Sequence, residues 1–249
     1  MSYARTTRQD SEKAVEAAKL ATLRTFAAEP QRYTWSFSAL KDYVNCPRQY
    51  HETKVLQRYA KTATPQMLYG TAVHEACEKY VAEGLPLAKN YEQFKPVLDA
   101  LLEIKGERYP ECQMALTKDS VPCEFTDKDR WVRGIVDLLI VDEDKAFVVD
   151  YKTGSNKYPD PKQLKLMALM VFAHFPEVET IKAALLFVVH NSIMEEEYDR
   201  KDIPTLWSSF HPDLARLEGS LLHNMWNPNP TPLCGWCPVT TCEFYKERS

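Results

Sequence analysis

Residues 131–151 read WVRGIVDLLIV, then DEDK, then AFVVDY. Two runs rich in β-branched and aromatic residues flank four charged ones, which is the pattern of a β-hairpin. With the charged tetrapeptide Asp142-Glu143-Asp144-Lys145 as the loop, Val141 pairs with Ala146 and Asp137 falls opposite Asp150. Facing residues project to one side of a sheet with Cβ atoms about 4.5–5.5 Å apart, and Lys152, two residues past Asp150, points the same way. One patch then carries two carboxylates and an ammonium.

Like charges placed opposite one another destabilise a sheet, so two aspartates in apolar strands call for a counter-ion or a shared proton. A divalent cation with hard oxygen ligands, Mg²⁺ or Mn²⁺, meets that need, and such an ion can activate water or polarise a phosphoryl oxygen. Lys152 would orient the nucleophile or offset charge developing on a phosphate. The plainer alternative is that Asp137 and Asp150 end strand pairing on a solvated edge, with Lys152 neutralising them.

Outward from the hairpin, helical and extended stretches alternate. Residues 11–28 are rich in Ala, Glu, Lys and Leu and are expected to be helical. A short helix capped by Ser36 or Ser38 is expected to stop before Cys46-Pro47, and a second, carrying His74 beside the stripe Val73, Cys77, Tyr80 and Val81, to stop at Gly84. A helical stretch over 91–105 is interrupted at Pro96, and the polar run through Ser120 reads as loop. After the hairpin, Asp160-Pro161 opens a helix, strands are expected over 181–190 and 194–200, and a last helix over 203–225. The sum is an α/β fold, a short central sheet of mixed pairing flanked by helices, with 1–30 as an N-terminal helical extension and 31–249 as a single domain.

The 249 residues are long enough to bury a core without disulfides, and the net charge of −4 excludes a broad basic face. Nucleic-acid binding would therefore need a local groove. No run approaches the ~20 apolar residues of a membrane span, and residues 1–20 lack a secretory signal's layout, so a soluble cytoplasmic protein is expected. In that reducing compartment the seven cysteines are expected to serve as core residues, nucleophiles or metal ligands.

Gly134-Ile-Val-Asp137 followed by Val148-Val-Asp150-Tyr151-Lys152-Thr-Gly154 resembles the signature of the PD-(D/E)xK nuclease superfamily, and specifically its RecB-like branch. Gly70-Thr71-Ala-Val-His74 resembles that branch's upstream histidine motif, and Gln163-Leu-Lys-Leu-Met-Ala168 its downstream glutamine helix. The resemblance runs from about residue 36 to 242 and implies a restriction-endonuclease-like core. It further implies that His74, Asp137 and Asp150 bind Mg²⁺ or Mn²⁺ together with the Tyr151 carbonyl, that Lys152 is the catalytic lysine, and that Gln163 aligns the lysine or the scissile strand. Met167 stands where an aromatic often follows this glutamine. Glu75 and Glu78 read as a solvated helix face.

Cys234, Cys237 and Cys242 place three thiols in nine residues, an incomplete ligand set. Cys46-Pro47-Arg48 resembles the family's CPR element and makes Cys46 the fourth ligand by resemblance. Zinc is the generic expectation for four cysteines. The pattern of one early cysteine and a late trio resembles the iron–sulfur subgroup, which includes AddB-type helicase-nucleases and CRISPR-associated adaptation exonucleases, and implies a [4Fe–4S] cluster that joins the N- and C-terminal segments of the domain. Cys77 reads as core, and Cys112 and Cys123 as loop residues without partners.

Arg48, Gln49, Tyr50, His51, Lys54 and Arg58 interleave cations with aromatics, which suits either single-strand contact or an exposed helix face. The resemblance implies a metal-dependent DNA exonuclease acting on single-stranded or frayed ends in replication, recombination or repair, in a bacterial cytoplasm or a phage-infected cell, with partner proteins of those processes. The alternatives are a non-catalytic DNA-binding subunit of a recombination complex and a zinc-stapled interaction module.

Overall fold

The computed structural model describes residues 33–60, 63–157 and 159–246; the helix expected over 11–28, and with it the 1–30 extension, lies outside the described residues. Strands β1 (Glu107–Leu116), β2 (Pro122–Cys123), β3 (Val132–Asp142), β4 (Lys145–Lys152), β5 (Thr180–Phe187) and β6 (Ser192–Asp199) form one mixed sheet in the order β2-β1-β3-β4-β5-β6. Neighbours are antiparallel except β4 and β5, which run parallel. A parallel pair needs a crossover, and helix α5 (Lys162–His174) supplies it. The remaining helices are α1 (Phe37–Asn45), α2 (Pro47–Tyr50), α3 (Pro65–Glu83), α4 (Lys95–Leu102), α6 (Ile203–Ser208) and α7 (His211–His223). No helix among the described residues is long and apolar enough to cross a membrane.

Both faces of the sheet are covered. On one, Val136, Leu139, Val148, Ala183 and Leu185 pack with Leu40 and Tyr43 of α1, with α5, and with Leu206, Leu214 and Leu217 of α6 and α7. On the other, Leu138, Ile140, Val149 and Leu186 pack on Val73 and Cys77 of α3 and Leu98 of α4. Helix α5 is sandwiched between the sheet and its own layer, so Leu164 and Leu166 through Phe172 are all buried and it reads as an apolar run without a polar stripe. Caps follow the sequence: Ser36 Oγ accepts the Ala39 N–H at 3.3 Å, and Gly84 ends α3 with φ 67°, a left-handed conformation that favours glycine.

The hairpin has the expected register, Val141 against Ala146, but closes more tightly, because Asp142 pairs with Lys145 and only Glu143 and Asp144 form the turn. Two expectations are corrected. Residues 107–116, read as loop, form β1, so Cys112 and Cys123 lie on strands. Pro110 and Glu111 disguise the strand. β2 pairs only with Ala115 and Leu116, so at Pro110 the strand has one neighbour, β3, where the proline stands opposite Leu138, and its other side is an edge of the kind that admits proline. The helix expected over 203–225 is two, divided at Ser209 and Phe210 just before Pro212.

Candidate active site

The β3–β4 ladder stops at Leu138–Val149, one step before Asp137 would face Asp150. Side-chain alternation along β3 slips at this point: Val136 and Leu139 share the α5-side layer, while Leu138 lies in the other. The two aspartates are therefore not a regular cross-strand pair, as the simple hairpin register implied. Opposite Asp137, the β1–β3 pairing also lapses, and Glu111 takes φ 46°.

At that break Asp137 Oδ2 accepts the Tyr151 N–H at 2.6 Å, standing in for a ladder carbonyl. The same oxygen lies 3.2 Å from His74 Nδ1, brought in by α3 from the opposite layer. The hydrogen bond to Asp137 raises the His74 pKa, against burial, which lowers it. The Tyr151 ring is buried and meets the His74 ring edge to face at 5.9 Å.

Asp150 and Lys152 point to the α5 side, where Gln163 sits in the first turn of the helix. Gln163 Oε1 accepts from Lys152 Nζ at 2.9 Å, and Gln163 Nε2 donates to Asp150 Oδ1. Lys152 Nζ also lies 2.5 Å from Asp150 Oδ2 as a buried ion pair. Burial pushes Asp150 up to about 6, with Lys152 opposing and the field of Asp137 adding to the rise. His74, Asp137, Tyr151, Asp150, Lys152 and Gln163 thus form one polar constellation spanning α3, β3, β4 and α5.

Among the described residues no group of three or more His, Cys, Asp or Glu side chains is drawn into a coordination cage. Instead each aspartate is engaged by a basic side chain of the constellation. The donor chemistry suits a hard divalent cation: two carboxylates, 8% and 3% exposed, on adjacent strands. Glu111, absent from the sequence expectations, joins the same field: burial raises its pKa first, and Asp137 next. Its signal was hidden with β1, since a glutamate in a supposed polar loop has no face to assign.

The four cysteines form a second constellation. Cys46 lies between α1 and α2, and Cys234, Cys237 and Cys242 in the tail; all four line one pocket with Asn229 and Val239. Cys46 Sγ accepts the Gln49 and Asn229 N–H groups at 3.5 and 3.4 Å, and Cys234 Sγ accepts the Thr231 N–H at 3.3 Å. Cys77 is buried in the core as expected, with its thiol pushed up to about 12 by burial. The cationic segment after Cys46 is largely built into the fold: His51 stacks on Trp226 at 4.5 Å, Tyr50 is buried, and Arg48 and Arg58 lie 3.7 and 3.6 Å from Glu52.

Residues 34–242 match the profile of the PD-(D/E)XK nuclease superfamily. Comparison with curated proteins finds no match. Among solved structures, a Eubacterium rectale protein described as a "Putative exonuclease" superposes with TM-score 0.50 at 13% identity, over 99% of this chain and 97% of that one. The crystal structure of SSO0001 superposes with TM-score 0.46 at 14% identity, over 95% of this chain and 98% of that one. At 13% identity the first likeness is one of fold.

Proposed function

Because the chain belongs to the PD-(D/E)XK nuclease superfamily, we propose that it is a metal-dependent deoxyribonuclease of the RecB-like branch, an exonuclease that hydrolyses phosphodiester bonds at single-stranded or frayed DNA ends. The observation that carries this is the convergence of His74, Asp137, Asp150, Lys152 and Gln163 from four separate elements onto the point where the β3–β4 ladder ends. Asp137, Asp150, His74 and the Tyr151 carbonyl are the proposed holders of Mg²⁺ or Mn²⁺. Such an ion, when bound, supplies Lewis acidity toward the scissile phosphate and the attacking water. Lys152 places its ammonium where charge develops on the phosphate, and Gln163 fixes that ammonium by accepting from it.

The same proposal includes a [4Fe–4S] cluster on Cys46, Cys234, Cys237 and Cys242, in a domain extending over 31–249. It is supported by the shared pocket and by backbone N–H groups aimed at two of the sulfurs. With four thiolates the cluster has no open position for substrate, so its role is to staple the tail to the first helices. DNA replication, recombination or repair in a bacterial or phage-infected cytoplasm is the proposed setting.

The test is cleavage of end-labelled DNA of both polarities by the purified full chain with Mn²⁺. Cleavage that stops under chelation supports the proposal. Binding without cleavage would overturn it in favour of a non-catalytic DNA-binding subunit.

A further inference from the structure

A cleft of about 760 Å³ opens beside Lys152 and Gln163 on the α5 side of the sheet. Its size falls within the roughly 300–1,000 Å³ of sites that enclose a small organic group. The floor is apolar, formed by the buried Leu166, Met167, Leu185 and Phe187. Two half-buried rings, Phe37 from α1 and Phe125 from the loop before β3, stand on its walls.

The rim is cationic. Lys41, Arg133 and Lys152 line the cleft against one carboxylate among the described lining residues, Asp160, which Lys41 already pairs at 3.3 Å. The exposed Arg133 guanidinium lies 5.1 Å from the Phe125 ring centroid, and no carboxylate among the described residues pairs with it. A ring with a guanidinium over its face is a platform on which any nucleobase can stack, because every base has a π face. Gly134, on the cleft wall, leaves no room for more: a Cβ there would meet Met170 Sδ at 3.0 Å.

Resting on the nuclease reading above, we propose that this cleft is a base-stacking subsite: Phe125 and Arg133 hold the unpaired nucleobase next to the phosphate that Lys152 addresses. The occupant is a single strand rather than a duplex. A paired base is already stacked on both faces and cannot enter a walled cleft, whereas an unpaired one can be turned into it. Phe125 and Arg133 are positioning residues. Together they make strand selection a property of this cleft, separate from hydrolysis.

The test uses the full chain with a short single-stranded oligonucleotide in the presence of a chelator, and a series in which one abasic position is moved inward from either end. Wild type, Phe125→Ala, Arg133→Gln and Phe125→Tyr are compared by fluorescence anisotropy. Phe125→Ala is expected to weaken binding of the intact strand about tenfold, and the strand abasic at the subsite hardly at all, with Phe125→Tyr restoring wild-type affinity. Arg133→Gln, at an exposed position where folding is not at stake, is expected to shift affinity in the same base-dependent way. Equal losses on intact and abasic strands, or no loss in either variant, would overturn the subsite. If the wild type cleaves with Mn²⁺ and the variants bind normally, the subsite fails and the nuclease reading stands. If binding depends on the base but no cleavage occurs, the nuclease reading fails and the subsite stands.

Discussion

Gln163 touches two members of the polar constellation at once, accepting from Lys152 and donating to Asp150, which is the geometry behind its proposed part in placing the ammonium. Gln163→Ala leaves both groups in place but loosens them, and cleavage is expected to fall about 10–100-fold. Lys152→Ala removes the cation itself and should cost about 10³-fold or more. Rates on end-labelled single-stranded DNA distinguish the two; a wild-type rate in Gln163→Ala would deny Gln163 any part in placing the lysine. A different residue tests the frame that holds the site. Gly106 has φ 125°, and a Cβ there would run into the Val141 carbonyl of β3. Gly106→Ala is expected to destabilise the fold by about 1–3 kcal/mol, read as a lowered denaturant midpoint.

At the scale of elements, β3 and β4 hold their positions because helices bury both faces of the sheet. Leu98 of α4 is fully buried under the face that carries Val149 and Tyr151. Leu98→Ala should cost about 2–5 kcal/mol in a denaturant titration, while Leu222→Ala on the exposed flank of α7 should cost about 0.5 kcal/mol or less. Equal effects would mean that the layer under α4 contributes little. The hairpin, α3 with its glycine stop and the mixed sheet could be read from the sequence because each has a strong local signal: β-branched runs, an αL glycine, a crossover helix. Strand β1 could not, since its proline and polar residues are those of an edge, and edges are defined by neighbours that a single segment does not reveal. The same holds for Glu111, visible only once β1 lies beside Asp137. The slip in alternation at Asp137 was equally hidden, because an ideal pleat predicts facing aspartates, whereas the break turns one carboxylate toward the Tyr151 N–H and the histidine of another layer.

Across the whole molecule, Cys46 near the first helices and the cysteines of the tail meet in one pocket, so a cluster there would close a loop over most of the chain. Cross-linking so long a loop restricts the unfolded state by several kcal/mol, and Cys46→Ser is expected to lower the melting temperature by about 5–15 °C. Anaerobically purified wild type should absorb near ~400 nm with bound iron, and the variant should not; colourless wild type containing zinc would replace the cluster with a zinc staple. The proposed hydrolytic centre, where the β3–β4 ladder ends, is tested most directly by cleavage of end-labelled single-stranded DNA in Mn²⁺ by wild type, Asp150→Ala and Lys152→Ala, each verified as folded. Metal-dependent cleavage by the wild type, lost in both variants, is the predicted result; undiminished cleavage by both would contradict it.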